Sequence, residues 1–203
     1  MSAVWNDNAE LRLADRRQQC GMRMSLEEAT LEDAAAIAAV RLAASRRLTE
    51  RYGRGVWSYA AESEWSVRAD IMTSKVLIAR EEGTVLATLR IATRPPWMGD
   101  LEFFTPCRTP LYLTTMAVAP KYQLQGIGTA CLAEVDRLAA DWPADAIRLD
   151  AYDLPAGAPD FYRKNGYTEV RRAPYHGTPL VYFEKLISST AKATAELAAL
   201  RRA

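Results

Sequence analysis

The chain has 203 residues, 49% of them hydrophobic, with 26 Lys and Arg against 25 Asp and Glu for a formal net charge of +1. Such a length folds as one domain with a sizeable core, and so balanced a charge gives no electrostatic footprint for a nucleic-acid backbone or an anionic membrane. Cys20, Cys107 and Cys131 lie far apart, which supports neither a disulfide framework nor a zinc knuckle, and the polar N-terminus reads as neither signal peptide nor membrane span, so a cytoplasmic setting is expected.

Residues 1–22 lack clear periodicity and read as a flexible arm before a domain of residues 23–187. Arg23 to Ala29 reads as a short strand. Thr30-Leu31-Glu32-Asp33 then starts a helix, with a capping hydroxyl and early acids that complement the helix dipole. Ala34, Ile37, Ala38, Leu42 and Ser45 recur at helical spacing, and the helix ends at Tyr52 before Gly53. A second helix is expected over Tyr59 to Met72, with Trp65, Ala69 and Met72 on one face. Lys75 to Arg80 and Thr84 to Thr93 form a hairpin across Glu81-Glu82-Gly83. Arg94 to Pro110, dense in Pro, Gly and aromatics, is an irregular loop long enough to be a substrate wall.

Leu111 to Val118 is the clearest buried strand, and a helix follows from about Gly126 to Trp142, stopped by Pro143. Ala146 to Tyr152 is a strand, Pro159 to Asn165 a short helix closed by Gly166, and Tyr167 to Arg172 with Leu180 to Leu186 are the last strands. Residues 188–203 are an Ala-rich tail or helix. The lone His176 sits in a turn, completes no multi-histidine site and faces solvent, so no metal is expected. An exposed final strand with the Ala-rich tail would suit a homodimer.

The chemistry centres on Gln123-Leu124-Gln125-Gly126-Ile127-Gly128, between a strand and a helix. Unpaired amides from Leu124 to Thr129, reinforced by the helix dipole, form a cradle for an anion, and Gly126 and Gly128 let it approach closely. No Gly-Lys-Ser/Thr follows, so the phosphate-binding loop of ATP and GTP enzymes is disfavoured. A dinucleotide fingerprint fits better in spacing, with Asp150 about 20 residues beyond Cys131. Against it, Cys131 is neither Gly nor Ala, and too few βα repeats surround the unit.

A third reading is a resemblance. Val118-Ala119-Pro120-Lys121-Tyr122-Gln123-Leu124-Gln125-Gly126-Ile127-Gly128-Thr129 resembles the Gln/Arg-x-x-Gly-x-Gly/Ala signature of the GNAT superfamily of acyl-CoA-dependent N-acetyltransferases. Phe161-Tyr162-Arg163-Lys164-Asn165-Gly166-Tyr167 resembles the family's other recurrent motif. The resemblance implies an α/β (α+β) fold: a mixed central sheet of six to seven strands with helices on both faces. Its central strands, Leu111 to Val118 and Ala146 to Tyr152, would splay to admit the pantetheine arm of acetyl-CoA. It further implies an oxyanion donor among the amides of Met116, Ala117 and Val118, and a pyrophosphate held by Gln123, Leu124, Gln125, Gly126, Ile127, Gly128 and Thr129, with Phe161 alongside. Tyr162 would protonate the leaving thiolate, and an amine of a small molecule or peptide would attack the thioester directly.

Many relatives carry a glutamate on the strand before the turn, whereas Leu111-Tyr112-Leu113-Thr114-Thr115-Met116 offers only hydroxyls. Asp150 ranks first as the replacement base because strand ends face the ligand crevice in open α/β sheets, ahead of Asp153, Asp100 and Glu102. Trp57, Tyr59, Trp65, Trp97, Phe103 and Phe104 come from segments that would border the acceptor pocket. A catalytically silent acyl-CoA-binding module is the alternative from another class.

Overall fold

Glu82 and Gly83 both have positive φ, 48° and 80°, as the tightest hairpin turn demands, and they join strands β2 (Lys75–Glu81) and β3 (Thr84–Ala92). The computed structural model describes residues 25–58, 63–99 and 101–187; the arm before residue 25 and the tail from residue 188 lie outside them. Short β1 (Leu26–Glu28) flanks β2, and β4 (Pro110–Val118), β5 (Ala146–Tyr152), β6 (Thr168–Tyr175) and β7 (Thr178–Leu186) complete a seven-stranded sheet. The order is β1-β2-β3-β4-β5-β7-β6. Only β4 and β5 pair in parallel; every other neighbour is antiparallel.

The last strand is not an edge. β7 lies between β5 and β6, and its run Leu180–Phe183 is buried, as expected of a strand covered on both faces. The exposed final strand expected from the sequence is therefore corrected: the edge on that side is β6. There Glu169 accepts from Arg163 at 2.5 Å and from Arg172 at 2.6 Å, Arg172 also reaches Asp153 at 2.6 Å, and Pro174 removes an N–H. Charge and proline both discourage strand addition.

Helix α1 (Ala34–Tyr52) follows a single 3₁₀ turn, Leu31–Asp33, where the Asp33 carboxylate accepts the Thr30 N–H at 2.8 Å. Burial pushes the Asp33 carboxyl up, but the Thr30 N–H and the Arg80 guanidinium outweigh it and hold the group below its ordinary range. Helix α2 (Glu64–Thr73) starts on Ser63, whose hydroxyl accepts the Ser66 N–H at 3.2 Å. It buries Val67 and turns Trp65, 77% exposed, and Met72 to solvent. Helices α3 (Ile127–Asp141) and α4 (Pro159–Lys164) complete the set. Among the described residues no helix is long and apolar enough to cross a membrane.

Alternation along the strands divides the core. Leu77, Leu89, Leu113 and Leu149 pack with Ile127, Leu132 and Val135 of α3 on one face, while Val76, Ile78 and Val85 pack with Ile37, Val40 and Val67 of α1 and α2 on the other. Over β4, β5 and β7 that second face is covered by residues 93–109 instead of a helix: Trp97 and Phe104 pack on Tyr112, Leu180 and Tyr182. Arg148 pins this loop. Its guanidinium donates to Glu184 at 2.9 Å and to the Thr105 carbonyl at 2.6 Å, and lies 4.5 Å from the Phe104 ring centre.

Candidate active site

Strands β4 and β5 share only three rungs, Pro110–Ala146, Leu111–Ile147 and Tyr112–Arg148. Beyond them β4 stays with β3 as far as Val118 and β5 stays with β7 as far as Tyr152, so the two part. From Leu113 to Val118 the edge of β4 that faces β5 has no strand partner. A bulge helps to open the gap: Thr114 to Ala117 on β4 oppose Arg90 to Thr88 on β3, with Thr115 at φ 47°. That angle is unusual for a β-branched residue and re-aims the groups that follow it.

A cleft of about 550 Å³ occupies the gap. Its walls are Leu113 to Val118 of β4, Asp150 to Tyr152 of β5, Tyr162 of α4, and Gln123, with Arg41, Ser45 and Leu48 of α1 and the side chains of Trp57 and Pro96. The structure thus brings together six of the residues singled out in the sequence: Met116, Ala117, Val118, Gln123, Asp150 and Tyr162. Leu124 to Thr129 and Phe161 are placed beside the cleft and do not line it.

The glycine turn is built as the pattern demands. Gln123 donates its side-chain amide to the Val118 carbonyl at 3.0 Å and Gln125 donates to Lys121 at 3.0 Å, bracing the loop from within. Leu124 and Gly126 take left-handed angles of 61° and 80°, and the Leu124 side chain is fully exposed. Gly126 caps α3, whose first carbonyl bond runs from the Ala130 N–H to the Gly126 oxygen at 2.9 Å. The amides of Ile127, Gly128 and Thr129 precede the helical ladder and point from its positive end. Ile127 buries its side chain beneath the helix, and Thr129 stays exposed. A Cβ on Gly128 would come within 3.1 Å of Phe161 and 3.6 Å of the Met116 methyl, so this glycine allows α3, α4 and β4 to meet. Nothing stands within 4 Å of a Cβ built on Gly126, so the turn is open at this point.

Asp150 is held by an indole. Trp97 donates Nε1–H to Asp150 Oδ1 at 2.9 Å. Burial raises the carboxyl above the ordinary carboxylate range, against the opposing Trp97 hydrogen bond. Tyr162 packs edge-on to Phe161 with centroids 5.2 Å apart and lies 5.9 Å from Tyr167. Burial raises its phenol, and the charge of Asp150 raises it further.

Asp153 is tied to Arg172, Asp100 and Tyr59 lie outside the described residues, and Glu102 does not line the cleft. Of the aromatic residues expected to border the acceptor pocket, Trp57 lines the cleft; Trp65 faces solvent, Trp97 and Phe104 are buried in the loop core, and Phe103 packs on Tyr182. The sequence reading missed the contribution of α1. Arg41, at helical spacing from Ile37 and Ser45 on the buried stripe and paired with Asp70 at 3.1 Å, is the signal that could have shown it.

A sheet split at its parallel seam, with a glycine-opened helix N-terminus at the fork, is the arrangement that the resemblance to the GNAT superfamily implies. The family model described as an acetyltransferase (GNAT) domain matches residues 73–169, the span from β2 to the start of β6. The part of the chain that carries both glycine-containing motifs and the cleft-forming strands is thus similar to a GNAT acetyltransferase domain. Among solved structures, yncA of Salmonella typhimurium, determined with its cofactor acetyl-CoA, superposes with a TM-score of 0.61 at 17% identity, covering 82% of this chain and 95% of that one. A GCN5-related N-acetyltransferase from Rhodopseudomonas palustris gives 0.61 at 24% identity, covering 80% and 94%. An aminoglycoside 6'-acetyltransferase type Ii gives 0.58 at 16% identity, covering 81% and 98%. A comparison with curated proteins gave no significant match.

Proposed function

We propose that this chain moves an acetyl group from acetyl-CoA to a primary amine by direct attack within a ternary complex. The observation that carries this reading is the single cleft in which the unpaired edge of β4, Asp150 and Tyr162 meet. In the proposal, amides from Leu124 to Thr129 hold the pyrophosphate, with Phe161 packed behind Gly128, and a main-chain N–H among Met116 to Val118 meets the thioester oxygen. A lysine-like amine of pKa about 10.4 costs about 4.6 kcal/mol to deprotonate at pH 7. Asp150 is the group that takes its proton, and burial suits it by making it more basic than an exposed aspartate.

The thiolate leaves toward Tyr162. As a buried phenol it is a weaker acid than free tyrosine while Asp150 is charged. Once Asp150 has accepted the amine's proton that charge disappears, and Tyr162 becomes the better donor to sulfur at the moment the C–S bond breaks. The acceptor is a small molecule or peptide whose amine is attached to an apolar portion, matching Leu48, Trp57, Pro96 and Tyr152 in the walls. The catalytic domain is residues 23–187, between the arm 1–22 and the tail 188–203, and acetyl-CoA as donor gives it a cytoplasmic setting. If the chain pairs with a second copy, the charged β6 edge is a poor seam for it.

Acetyl-CoA at 100 times its dissociation constant stabilises a fold by about 2.7 kcal/mol, so it should raise the melting temperature where NAD does not. Free thiol should then be released with some member of a panel of 2-phenylethylamine, spermidine, L-lysine amide and a short unblocked peptide. A shift by NAD alone would return the dinucleotide reading. A shift by acetyl-CoA with no thiol released by any amine would make the chain a binding module.

A further inference from the structure

We propose that Trp97 is a positioning residue for the proton acceptor: its indole N–H fixes the Asp150 carboxylate from outside the cleft so that one oxygen is left to meet the amine. This rests on Asp150 being the base. An indole has one donor and no acceptor, and Trp97 Nε1 lies 2.9 Å from Asp150 Oδ1. Among the described residues Trp97 is the side chain that donates to this carboxylate, which also meets the Asp150 backbone N–H, and Asp150 lines the cleft. Trp97 does not line it. The ring is 5% exposed, 5.7 Å from Phe104, 5.7 Å from Tyr112 and 5.3 Å from Tyr182, and so cannot turn away without unpacking the loop.

The neighbouring residue, Pro96, is a cleft wall. The loop therefore touches the acceptor's space with one residue and the base with the next, and whatever seats the loop also aims the carboxylate. A donor fixed to Oδ1 limits the rotation of the carboxylate and supports its charged form. The titratable groups that feel the charge of Asp150 are Tyr152 on its own strand, Tyr182 opposite it on β7 and Tyr162 on α4, and Arg41 of α1 lines the same cleft. None of these phenols, nor the guanidinium, changes charge where a carboxylate titrates. A transition in that range that Asp150→Asn abolishes belongs to Asp150.

The wild-type protein supplies the first test. With ¹⁵N-tryptophan incorporated, the Trp97 indole resonance, assigned by its loss in Trp97→Phe, should move with pH as Asp150 protonates and should stop moving in Asp150→Asn. The second test is the pH profile of kcat/KM with acetyl-CoA and the panel amine turned over fastest. Its acidic limb should share the midpoint of the indole titration. Trp97→Phe should move the limb to higher pH by about one unit and lower the plateau about tenfold. A purely structural Trp97 would lower the melting temperature and leave the limb in place; Phe104→Leu, which loosens the same loop, supplies that pattern for comparison.

An indole resonance that ignores pH overturns the proposal, as does an unmoved limb in Trp97→Phe. If Asp150→Asn keeps the limb, the base assignment falls and this inference with it. If Asp150→Asn removes the limb while Trp97→Phe leaves it unmoved, only the role of Trp97 falls. Should Trp97→Phe fail to fold, the resonance is assigned by elimination against the other tryptophans, and agreement or disagreement between its midpoint and the wild-type limb still decides.

Discussion

Replacing Arg148 by methionine would strand Glu184 in the core of the loop-covered face. The two side chains are 8% and 3% exposed and 2.9 Å apart, and Glu184 also accepts the Thr105 N–H at 3.2 Å. Removing one partner of so buried a pair leaves a charge without its counter-charge, which costs about 3–5 kcal/mol. Replacing both by methionine leaves no buried charge, and the apolar side chains can pack on Phe104 and Tyr112. The double variant should therefore lose no more than about 2 kcal/mol, so the two sites should be coupled by at least about 4 kcal/mol. Urea unfolding of wild type, Arg148→Met, Glu184→Met and the double variant measures all four corners. Two single changes costing under about 1 kcal/mol each, and adding, would show that the pair does not pin the loop.

Three further outcomes bear on the site. Tyr162→Phe should lower kcat by about a hundredfold and leave the acetyl-CoA dissociation constant nearly unchanged, as steady-state kinetics and calorimetry would show; loss of affinity with kcat intact would make Tyr162 a packing residue only. Asp150→Asn should cut turnover while raising the melting temperature at neutral pH. The sign follows from the raised carboxyl: the folded state binds the proton more tightly than the unfolded chain, so Asp150 stabilises the protein below the unfolded pKa of about 3.9 and loses that contribution as pH climbs through the raised folded value. A variant no more stable than wild type at pH 7 would contradict this. Gly126→Ala places a Cβ in open space but at φ 80°, and should cost about 1–2 kcal/mol in chemical denaturation; an unchanged stability would show that the turn can relax its left-handed angle.

Local pattern carried much of the architecture. The Glu82-Gly83 hairpin, the strand, glycine turn and helix from Leu111 to Asp141, and the short helix before Gly166 all announce themselves through turn chemistry and periodicity within a few residues. For α2 the helix and the shared face of Trp65 and Met72 were legible, but not that this face points outward while Val67 is buried. Periodicity there marks a face without saying which way it points. The place of β7 is a non-local fact, although four successive buried residues from Leu180 hinted at a strand covered on both sides. The contact between Trp97 and Asp150, 53 residues apart in sequence, depends on a loop with no repeating geometry, and no spacing rule reaches it.

The short seam between β4 and β5 has a mechanical consequence. Past Tyr112 each half of the described sheet keeps its own backbone ladder, so a pantetheine arm lying there would work as a removable staple. Its amides and carbonyls would tie the two ladders together for one turnover, and its departure would return the protein to a pair of leaves joined at the spine.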